Sequence, residues 1–476
     1  MSTRRIAMGR IQGVYLAPHP PIIVDEVGKG DREGARTTID SMGILGREIK
    51  SKNPDTIIVI SPHGPVFADG IGIMSEDILK GDFSRFGAPG VSMAFQTHGD
   101  LIERIIGEAQ RIGILAIDLD RDMCSSYNIS GTLDWGVLVP LYFVNQHFTG
   151  YRLVTMGVSQ LPYHELYAFG IAMKRAIESQ DKDVVIIASG DLSHRLKEDG
   201  PYGFHPAGVE LDKTITSLIE EGDVEGLLTI DPELISEGGE CGLRSIIMAL
   251  GALDGQAFRP EVHSYEGPFG VGYCVASFEP EDADSSRNLM DKLIENSRRS
   301  IRDTREKEDD YVRLARESLE TYVRTGETMD LGDRLPDSML DNRAGTFVTI
   351  KQHGQLRGCI GTIEPSRESI AHEIVENAIS AGTRDPRFFP VAEEELDSLV
   401  YSVDILMEPE PAEGFGDLDI KKYGVIVSHG SRSGLLLPNL EGISSPQEQV
   451  SIALQKAGID PDEDYEMQRF EVKRHL

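Results

Sequence analysis

Short apolar runs alternate with amphipathic segments along the first 280 residues of the chain. The runs resemble strands because they are rich in β-branched residues and end at turn residues; they are IQGVYLA, DTIIVIS, YRLVTMG and DVVIIAS. The other segments have apolar residues three or four positions apart, as helices do; they are GARTTIDSMGILGREIKS, YHELYAFGIAMKRAIES and ELDKTITSLIEEG. This alternation predicts an α/β domain with a mostly parallel central sheet flanked by helices.

The pattern changes between residues 281 and 309, where charged residues of both signs replace the apolar runs. We interpret this segment as a charged linker, with a solvated helix as the alternative. Beyond it, the helical stripe DYVRLARESLETYVRTG precedes strand-like runs, the first of which predicts a hairpin that turns near His353 and Gly354. Residues 310–476 are therefore predicted to form a second, smaller α+β domain.

Composition restricts the kinds of partner. The 476 residues carry a formal net charge of −32, which repels phosphate backbones and anionic lipids, so nucleic acid is not an expected partner. No apolar run reaches the ~18 residues of a membrane-spanning helix, and MSTRRIAMGR lacks the apolar core of a secretory signal. We expect a cytoplasmic protein with no membrane contact, and the sequence leaves a homo-oligomer open.

The cysteines are scattered along the chain, with no CxxC pair; they are Cys124, Cys241, Cys274 and Cys359. Neither a disulfide framework nor a zinc ribbon is indicated, so reduced thiols are expected.

Three histidines follow predicted strands of the first domain. His19 lies in APHPP, His63 in SPHGP and His194 in SGDLSH. In an open parallel sheet, the loops at the carboxyl ends of the strands line one crevice. A single histidine in such a loop is usually a surface residue, but three at equivalent places favour a shared metal site, since imidazole is the commonest transition-metal ligand.

A carboxylate would complete such a site. Two imidazoles and one carboxylate leave positions open on non-haem Fe(II). Glu240 is a candidate because it follows two glycines and precedes an apolar helix, although a carboxylate there can also serve only the helix dipole. Asp191 competes with it, but its place in SGDLSH favours capping a turn or orienting a histidine.

These motifs together resemble a known family. PHPP, SPHGP, SGDLSH and GECG occur in the order found in the class III extradiol dioxygenase (LigB-like) superfamily, which includes the Memo-like proteins. The resemblance covers residues 10–280. It implies that His19 and His63 are metal ligands, that Glu240 is the carboxylate ligand, and that His194 is the acid/base. It further implies Fe(II) as cofactor, a small catechol-type aromatic substrate, O2 as co-substrate and cleavage of the ring beside the diol.

The sequence departs from the dioxygenases at two places. Trp135, the only tryptophan, stands where they commonly have a histidine, and it would either stack on a substrate or fill the core. Cys241 is similar to a cysteine of the Memo-like relatives, and a thiol would favour zinc or copper over iron. The alternatives are thus a Memo-like protein with redox, hydrolytic or anaerobic chemistry, or a metal-binding scaffold for a partner. His205 lies in a Gly/Pro-rich loop that would form either a substrate lid or ordinary surface.

The second domain carries the run LRGCIGTIEP, followed by TRDPRFFP, and resembles the AMMECR1 domain over residues 310–476. In a strand, Arg357 and Cys359 would point to one face. Together with Arg384, Asp385 and Arg387 they could line a pocket for an anionic ligand. Cys359 would be either a nucleophile activated by Arg357 or a buried structural cysteine.

Overall fold

The computed structural model describes residues 8–200, 202–331, 335–352, 355–440 and 443–476. They form two compact units, one extending to Leu293 and one beginning at Ile294. The segment interpreted above as a linker, 281–309, contains a 17-residue helix, and the division between the units falls inside this helix. Within these ranges, every helix is too short or too polar to cross a lipid bilayer.

The first unit combines strands and helices throughout its length. Its strands are β1 (Ile11–Ala17), β2 (Thr56–Ser61), β3 (Gly70–Met74), β4 (Ile78–Phe83), β5 (Ala88–Gln96), β6 (Leu115–Leu119), β7 (Arg152–Gly157), β8 (Val184–Ser189), β9 (Gln256–Glu266) and β10 (Tyr273–Ala283). Its helices are α1 (Asp25–Gly28), α2 (Arg36–Lys52), α3 (Gly99–Arg111), α4 (Arg121–Ser126), α5 (Trp135–Asn145), α6 (Tyr163–Glu178), α7 (Pro206–Glu221), α8 (Val224–Leu228), α9 (Pro232–Gly238) and α10 (Leu243–Gly251), and α11 (Leu289–Arg305) runs across the division.

Eight of these strands form one sheet in the order β6-β3-β7-β2-β8-β1-β10-β9. The central strands β7, β2, β8 and β1 are parallel to their neighbours within this group, whereas β10 and β9 add an antiparallel edge. The four strands predicted from the sequence are these four central strands. The predicted α/β class with a mostly parallel sheet is confirmed.

Each face of this sheet packs against its own apolar cluster. Along β2, Ile58 and Ile60 enter one cluster with residues of α3, α6 and α10. Ile57 and Val59 enter the other, with residues of α2 and α5. Helices therefore cover both faces, which is why the central strands are continuously apolar rather than alternating.

The second unit is α+β, as predicted. Its helices are α12 (Asp310–Thr325), α13 (Asp337–Leu340), α14 (Ile370–Thr383) and α15 (Pro446–Ala457). Its strands are β11 (Thr346–Gln352), β12 (Gln355–Gly361), β13 (Leu399–Leu406), β14 (Glu410–Pro411), β15 (Gly424–His429), β16 (Arg432–Leu436), β17 (Glu466–Phe470) and β18 (Val472–His475). They form two antiparallel sheets, β12-β11-β13-β18 and β14-β17-β15-β16. The turn predicted at His353 and Gly354 lies outside the described residues.

Candidate metal centre

Three neighbouring strands of the central sheet end beside one another. β8 lies between β1 and β2, and its last residue, Ser189, is paired with Ala17 at the end of β1. His19 follows β1 and His63 follows β2 after one intervening proline each. Because the strands are parallel, both imidazoles reach the same crevice at the carboxyl edge of the sheet.

The two imidazoles meet a thiol in this crevice. The Nε2 atoms of His19 and His63 are 2.9 Å apart, and the rings meet edge to face. The Cys241 Sγ atom is 3.7 Å from His19 Nε2. One donor atom from each of the three residues lies within 4.8 Å of the others. His19 is buried, whereas His63 and Cys241 are half-buried and accessible from the crevice.

Glu240, which is predicted to be the third ligand, is engaged by the helix that follows it, and its role as a ligand stays a prediction. Its Oε2 atom accepts a hydrogen bond of 2.6 Å from the Leu243 backbone N–H in the first turn of α10. The free N–H groups of a helix N-terminus attract a carboxylate, and this local interaction holds the Glu240 side chain. The structure brings the next residue, Cys241, close to the two imidazoles.

Two glycines bring the Cys241 loop close to the end of β8. A Cβ atom on Gly190 would lie 2.1 Å from the Gly242 Cα atom, far inside van der Waals contact. The two backbones can approach this closely only because neither residue has a side chain. The approach places Cys241 beside Asp191, whose backbone N–H donates to Sγ at 3.4 Å.

The protonation states suit metal binding. Burial is the main cause that lowers the pKa of His19 and of His63 to about 3, and the neighbouring imidazoles contribute to the same shift. Both imidazoles are therefore neutral, which is the form that binds metals. Burial raises the pKa of the Cys241 thiol, and the Asp191 carboxylate adds to this shift. A cation in the cluster would oppose the shift and favour the thiolate.

Asp191 connects the histidine loop to the rest of the site. Its Oδ1 atom accepts a 2.9 Å hydrogen bond from the His19 backbone N–H, and its Oδ2 atom is 3.8 Å from His19 Nε2. Burial raises the pKa of this carboxyl to about 6. Asp191 thus holds the loop that carries His19.

His194 is held with one ring nitrogen free. Its Nδ1 atom is 2.8 Å from the Gly239 carbonyl oxygen, which can only accept, so Nδ1 carries the hydrogen. The Nε2 atom therefore has a lone pair. The edge of the ring packs against Tyr202, with 5.4 Å between the ring centroids.

A cavity of about 770 Å³ opens beside the cluster. Trp135 forms part of its wall and stacks on His63, with 4.2 Å between ring centroids and an interplanar angle of 28°. Phe86 and Arg85, from the turn between β4 and β5, also lie against the Trp135 ring. The Trp135 ring therefore supports the His63 ring. It is neither only a core residue nor a ring left free to stack on a substrate.

Comparison with known proteins gives the family. Residues 13–276 match the family model described as the catalytic LigB subunit of aromatic ring-opening dioxygenase. The chain belongs to the LigB family. Residues 312–475 match the AMMECR1 family, so a LigB domain and an AMMECR1 domain lie in one chain.

Similar proteins occur in other microorganisms. A protein of Clostridium acetobutylicum is 45% identical over 467 residues, covering 98% of this chain and 99% of its own length. A protein of Thermotoga maritima is 49% identical over 170 residues, which are 35% of this chain and 98% of that protein. A crystal structure of an uncharacterized protein from Pyrococcus horikoshii is 33% identical, covers 34% of this chain and 88% of its own, and has a TM-score of 0.33. The clostridial protein thus matches both domains.

His205 is placed differently from the other candidates of the LigB domain. It is the N-cap of α7, where its Nδ1 atom accepts a 3.3 Å hydrogen bond from the Ala207 backbone N–H. No contact within the described residues connects its ring to the cluster. Its predicted place in a lid remains a prediction.

In the AMMECR1 domain, each candidate arginine has a carboxylate partner. Arg357 makes two hydrogen bonds with Glu395, at 2.8 and 3.0 Å, and Arg387 pairs with Asp385. Arg384 is directed to Glu376 on α14 instead. The structure therefore does not show these arginines as a group of free cations around a pocket.

Cys359 has contacts of its own in that domain. Its backbone N–H donates to Asp385, and its Sγ atom is 3.3 Å from the Thr349 hydroxyl on the neighbouring strand. It is half-buried, so the two sequence interpretations of this cysteine both stay open.

Several residues at the site were not found from the sequence. Ser61 and Ser189 are the last residues of β2 and β8 and lie against the cluster, and Tyr202 packs on His194. A polar residue ending an otherwise apolar strand was the available signal for the two serines. Nothing comparable marks Tyr202, since its loop is rich in turn residues.

Proposed function

We propose that the LigB domain is a transition-metal-dependent enzyme of dioxygenase type that acts on an aromatic substrate. The observation that carries this proposal is the convergence of the His19, His63 and Cys241 donor atoms within 4.8 Å. Imidazole and thiolate are ligands for iron, copper or zinc rather than for magnesium or calcium. When bound, Fe(II) supplies Lewis acidity and one-electron redox chemistry.

His194 is the proposed acid/base. Its Nδ1–H is held by the Gly239 carbonyl, so its Nε2 lone pair can accept a proton from a phenolic hydroxyl. An imidazole can return that proton later in the reaction as a general acid.

The cavity supports an aromatic substrate with polar substituents. Its wall includes the aromatic side chains of Trp135 and Phe86, together with Lys80 and Arg85. Its volume of about 770 Å³ falls in the range that holds small organic ligands. The specific form of the proposal is Fe(II)-dependent extradiol cleavage of a catechol-type ring.

A second candidate function has one observation in its favour. The Cys241 Sγ atom lies within 4.8 Å of nitrogen atoms of both imidazoles, next along the chain to Glu240, the carboxylate ligand that the resemblance implies. A thiolate favours copper or zinc, and either metal would support redox or hydrolytic chemistry other than ring opening.

Metal loading under anaerobic conditions separates these candidates. The full chain is titrated with Fe(II), Cu(I) and Zn(II), and the Fe(II) form is then mixed with a panel of catechols in air. Ring-opened product that is formed by the wild type and lost in His194→Gln supports the dioxygenase form. Tight binding of iron at the cluster without turnover of any catechol would refute that form. If the chain binds none of the three ions, the proposal of a metal-dependent enzyme is refuted.

A further inference from the structure

The first turn of α5 contacts the supports of both histidines. Its residues Asp134, Trp135 and Gly136 are consecutive, yet each reaches a different part of the cluster. We refer to these three residues as the DWG turn. The contacts divide into a set that holds His63 and a set that holds His19.

The His63 set begins with Asp134. The Asp134 Oδ1 atom accepts hydrogen bonds from the Ser61 hydroxyl at 2.6 Å and from the Gly136 backbone N–H at 2.8 Å. The Ser61 oxygen in turn accepts from the His63 backbone N–H at 3.2 Å. Trp135 stacks directly on the His63 ring. The backbone and the ring of His63 are thus both fixed by the DWG turn.

The His19 set passes through Ser189, which is completely buried. The Ser189 hydroxyl donates to the Gly136 carbonyl oxygen at 2.5 Å. Two oxygens this close repel unless a hydrogen lies between them, and a serine hydroxyl has only one. The Ser189 oxygen must therefore act as acceptor toward His19 Nδ1, which is 2.9 Å away.

This arrangement determines the tautomer of His19. Its hydrogen lies on Nδ1, so the lone pair is on Nε2, the atom that faces Cys241 and His63. In the metal-free protein the 2.9 Å contact between the two Nε2 atoms then requires a hydrogen on His63 Nε2. Metal binding at His63 Nε2 would require the His63 hydrogen to be on Nδ1, whereas the tautomer of His19 would already be the one that can bind.

We propose that the DWG turn is a positioning element which holds both metal-binding histidines and, through Ser189, selects the His19 tautomer able to bind a metal. The proposal rests on the metal-dependent function proposed above. It assigns a role to Asp134, Gly136, Ser61 and Ser189, none of which is among the three candidate ligands. Gly136 is required because a Cβ atom there would lie 2.3 Å from the Ser61 oxygen.

The test uses Ser189→Ala, which removes the acceptor for His19 Nδ1. Ser277→Ala is the matched control, because it removes a similar 2.9 Å contact to His263 elsewhere in the same sheet. Two quantities are measured on the full chain: the ring tautomer of His19 in the metal-free protein, by 15N correlation spectra of labelled histidine, and the Zn(II) affinity, by competition with a chelator.

We expect His19 to carry its hydrogen on Nδ1 in the wild type and in Ser277→Ala, and to populate both tautomers in Ser189→Ala. The Zn(II) affinity of Ser189→Ala should fall roughly 10- to 100-fold, as is usual when the hydrogen-bond partner of a ligand is lost. If the His19 tautomer and the Zn(II) affinity are both unchanged in Ser189→Ala, this inference is overturned, but the proposed function is not. A wild-type chain that binds no metal would overturn the proposed function, and the inference with it.

A second pair of variants covers the case in which Ser189→Ala does not fold. Trp135 is half-buried at the cavity wall, so its substitution disturbs the interior less. Trp135→Phe should keep the stack on His63 and the wild-type Zn(II) affinity, whereas Trp135→Ala should lower the affinity. Equal affinity in both variants and the wild type would contradict the positioning role.

Discussion

Each domain contains a cluster of polar side chains around a cysteine, but the partners of these side chains differ between the two domains. In the LigB domain, the His19, His63 and Cys241 donor atoms face one another. In the AMMECR1 domain, Arg357 and Arg387 face carboxylates, and Cys359 lies next to a threonine hydroxyl. The first cluster gathers nitrogen and sulfur atoms that can act as metal ligands within 4.8 Å of one another. The second neutralises its charges internally, which is what a structural network does.

Substitution of one cysteine in each domain should give the largest difference in Zn(II) affinity between the two domains. Cys241→Ser removes a proposed ligand, and we expect the Zn(II) affinity to fall by more than the roughly 100-fold that loss of a supporting contact can cost. Cys359→Ser should leave the affinity unchanged. Both variants are measured by chelator competition on the full chain. Equal Zn(II) affinities for Cys241→Ser and Cys359→Ser would contradict the distinction between the two clusters.

A methyl group at the close glycine contacts should give the next largest effect. A Cβ atom would lie 2.1 Å from Gly242 Cα in Gly190→Ala, and 2.1 Å from the Ala381 carbonyl oxygen in Gly358→Ala. We expect each variant to lose about 1–3 kcal/mol of unfolding free energy, as overpacking usually does. Only Gly190→Ala should also weaken metal binding.

The single tryptophan allows unfolding of the LigB domain to be followed separately from unfolding of the AMMECR1 domain. Trp135 fluorescence reports unfolding of the LigB domain, whereas circular dichroism reports both domains. Gly90→Ala serves as the control, because its Cβ atom would have no neighbour within 4 Å. Weaker metal binding in Gly358→Ala would contradict the assignment of the site to the LigB domain.

Acid should weaken the AMMECR1 network through Asp385. Hydrogen bonding to Arg387 lowers the pKa of this carboxyl from 3.8 to about 2. A lowered folded-state pKa contributes stability that is present above 3.8 and is lost as the pH falls toward 2. Asp385→Asn should therefore be less stable at neutral pH and lose less stability on acidification.

Urea unfolding between about pH 5 and about pH 3 measures this difference, since the slope of stability against pH reports proton uptake. Asp397→Asn is the control, because Asp397 is an exposed acid in the same domain with no ion pair among the described residues. If wild type and Asp385→Asn show the same slope, the Asp385–Arg387 pair does not contribute as described.

The surface arginine should give the smallest effect. Arg384 and Glu376 form a 2.8 Å pair whose side chains are 57% and 39% exposed, so Arg384→Ala should change the unfolding free energy by at most about 0.5 kcal/mol. Arg357→Ala should cost more, because it leaves the better-buried Glu395 without its bidentate partner. Chemical denaturation ranks the two, and the reverse order would contradict this account of the network.

The sequence was sufficient for the sheet and for two of the three cluster residues. The parallel strands predicted around His19 and His63 place both residues at one edge, because the carboxyl ends of parallel strands coincide. The choice between Glu240 and Cys241 was not predictable in the same way. It depends on the left-handed Gly239 (φ +64°), the contact between Gly190 and Gly242, and the N-terminus of α10, all of which are tertiary features.

The cavity wall was also beyond the sequence pattern. The β4–β5 hairpin, which carries Arg85 and Phe86 in its turn, alternates in burial along β4 and most of β5, but the exposed Ile78 and the more buried Gly81 hide this alternation in the sequence. The arginines of the AMMECR1 domain show a second limit of sequence-based prediction, because their residue types were visible in the sequence but their partners were not. Their types suggested an anionic pocket, but Arg357 pairs with Glu395 from a distant part of the chain, which only the fold brings close, and Arg384 pairs with Glu376 of the helix that it caps.

X-ray absorption at the metal edge tests the central claim most directly. The full chain is loaded with one equivalent of Zn(II), and the wild type is compared with Cys241→Ser and Glu240→Gln. We predict one sulfur at about 2.3 Å and two imidazole nitrogens at about 2.0 Å in the wild type and in Glu240→Gln, with the sulfur lost in Cys241→Ser. A wild-type spectrum with only nitrogen and oxygen ligands, altered by Glu240→Gln, would contradict the assignment of Cys241 as the third ligand.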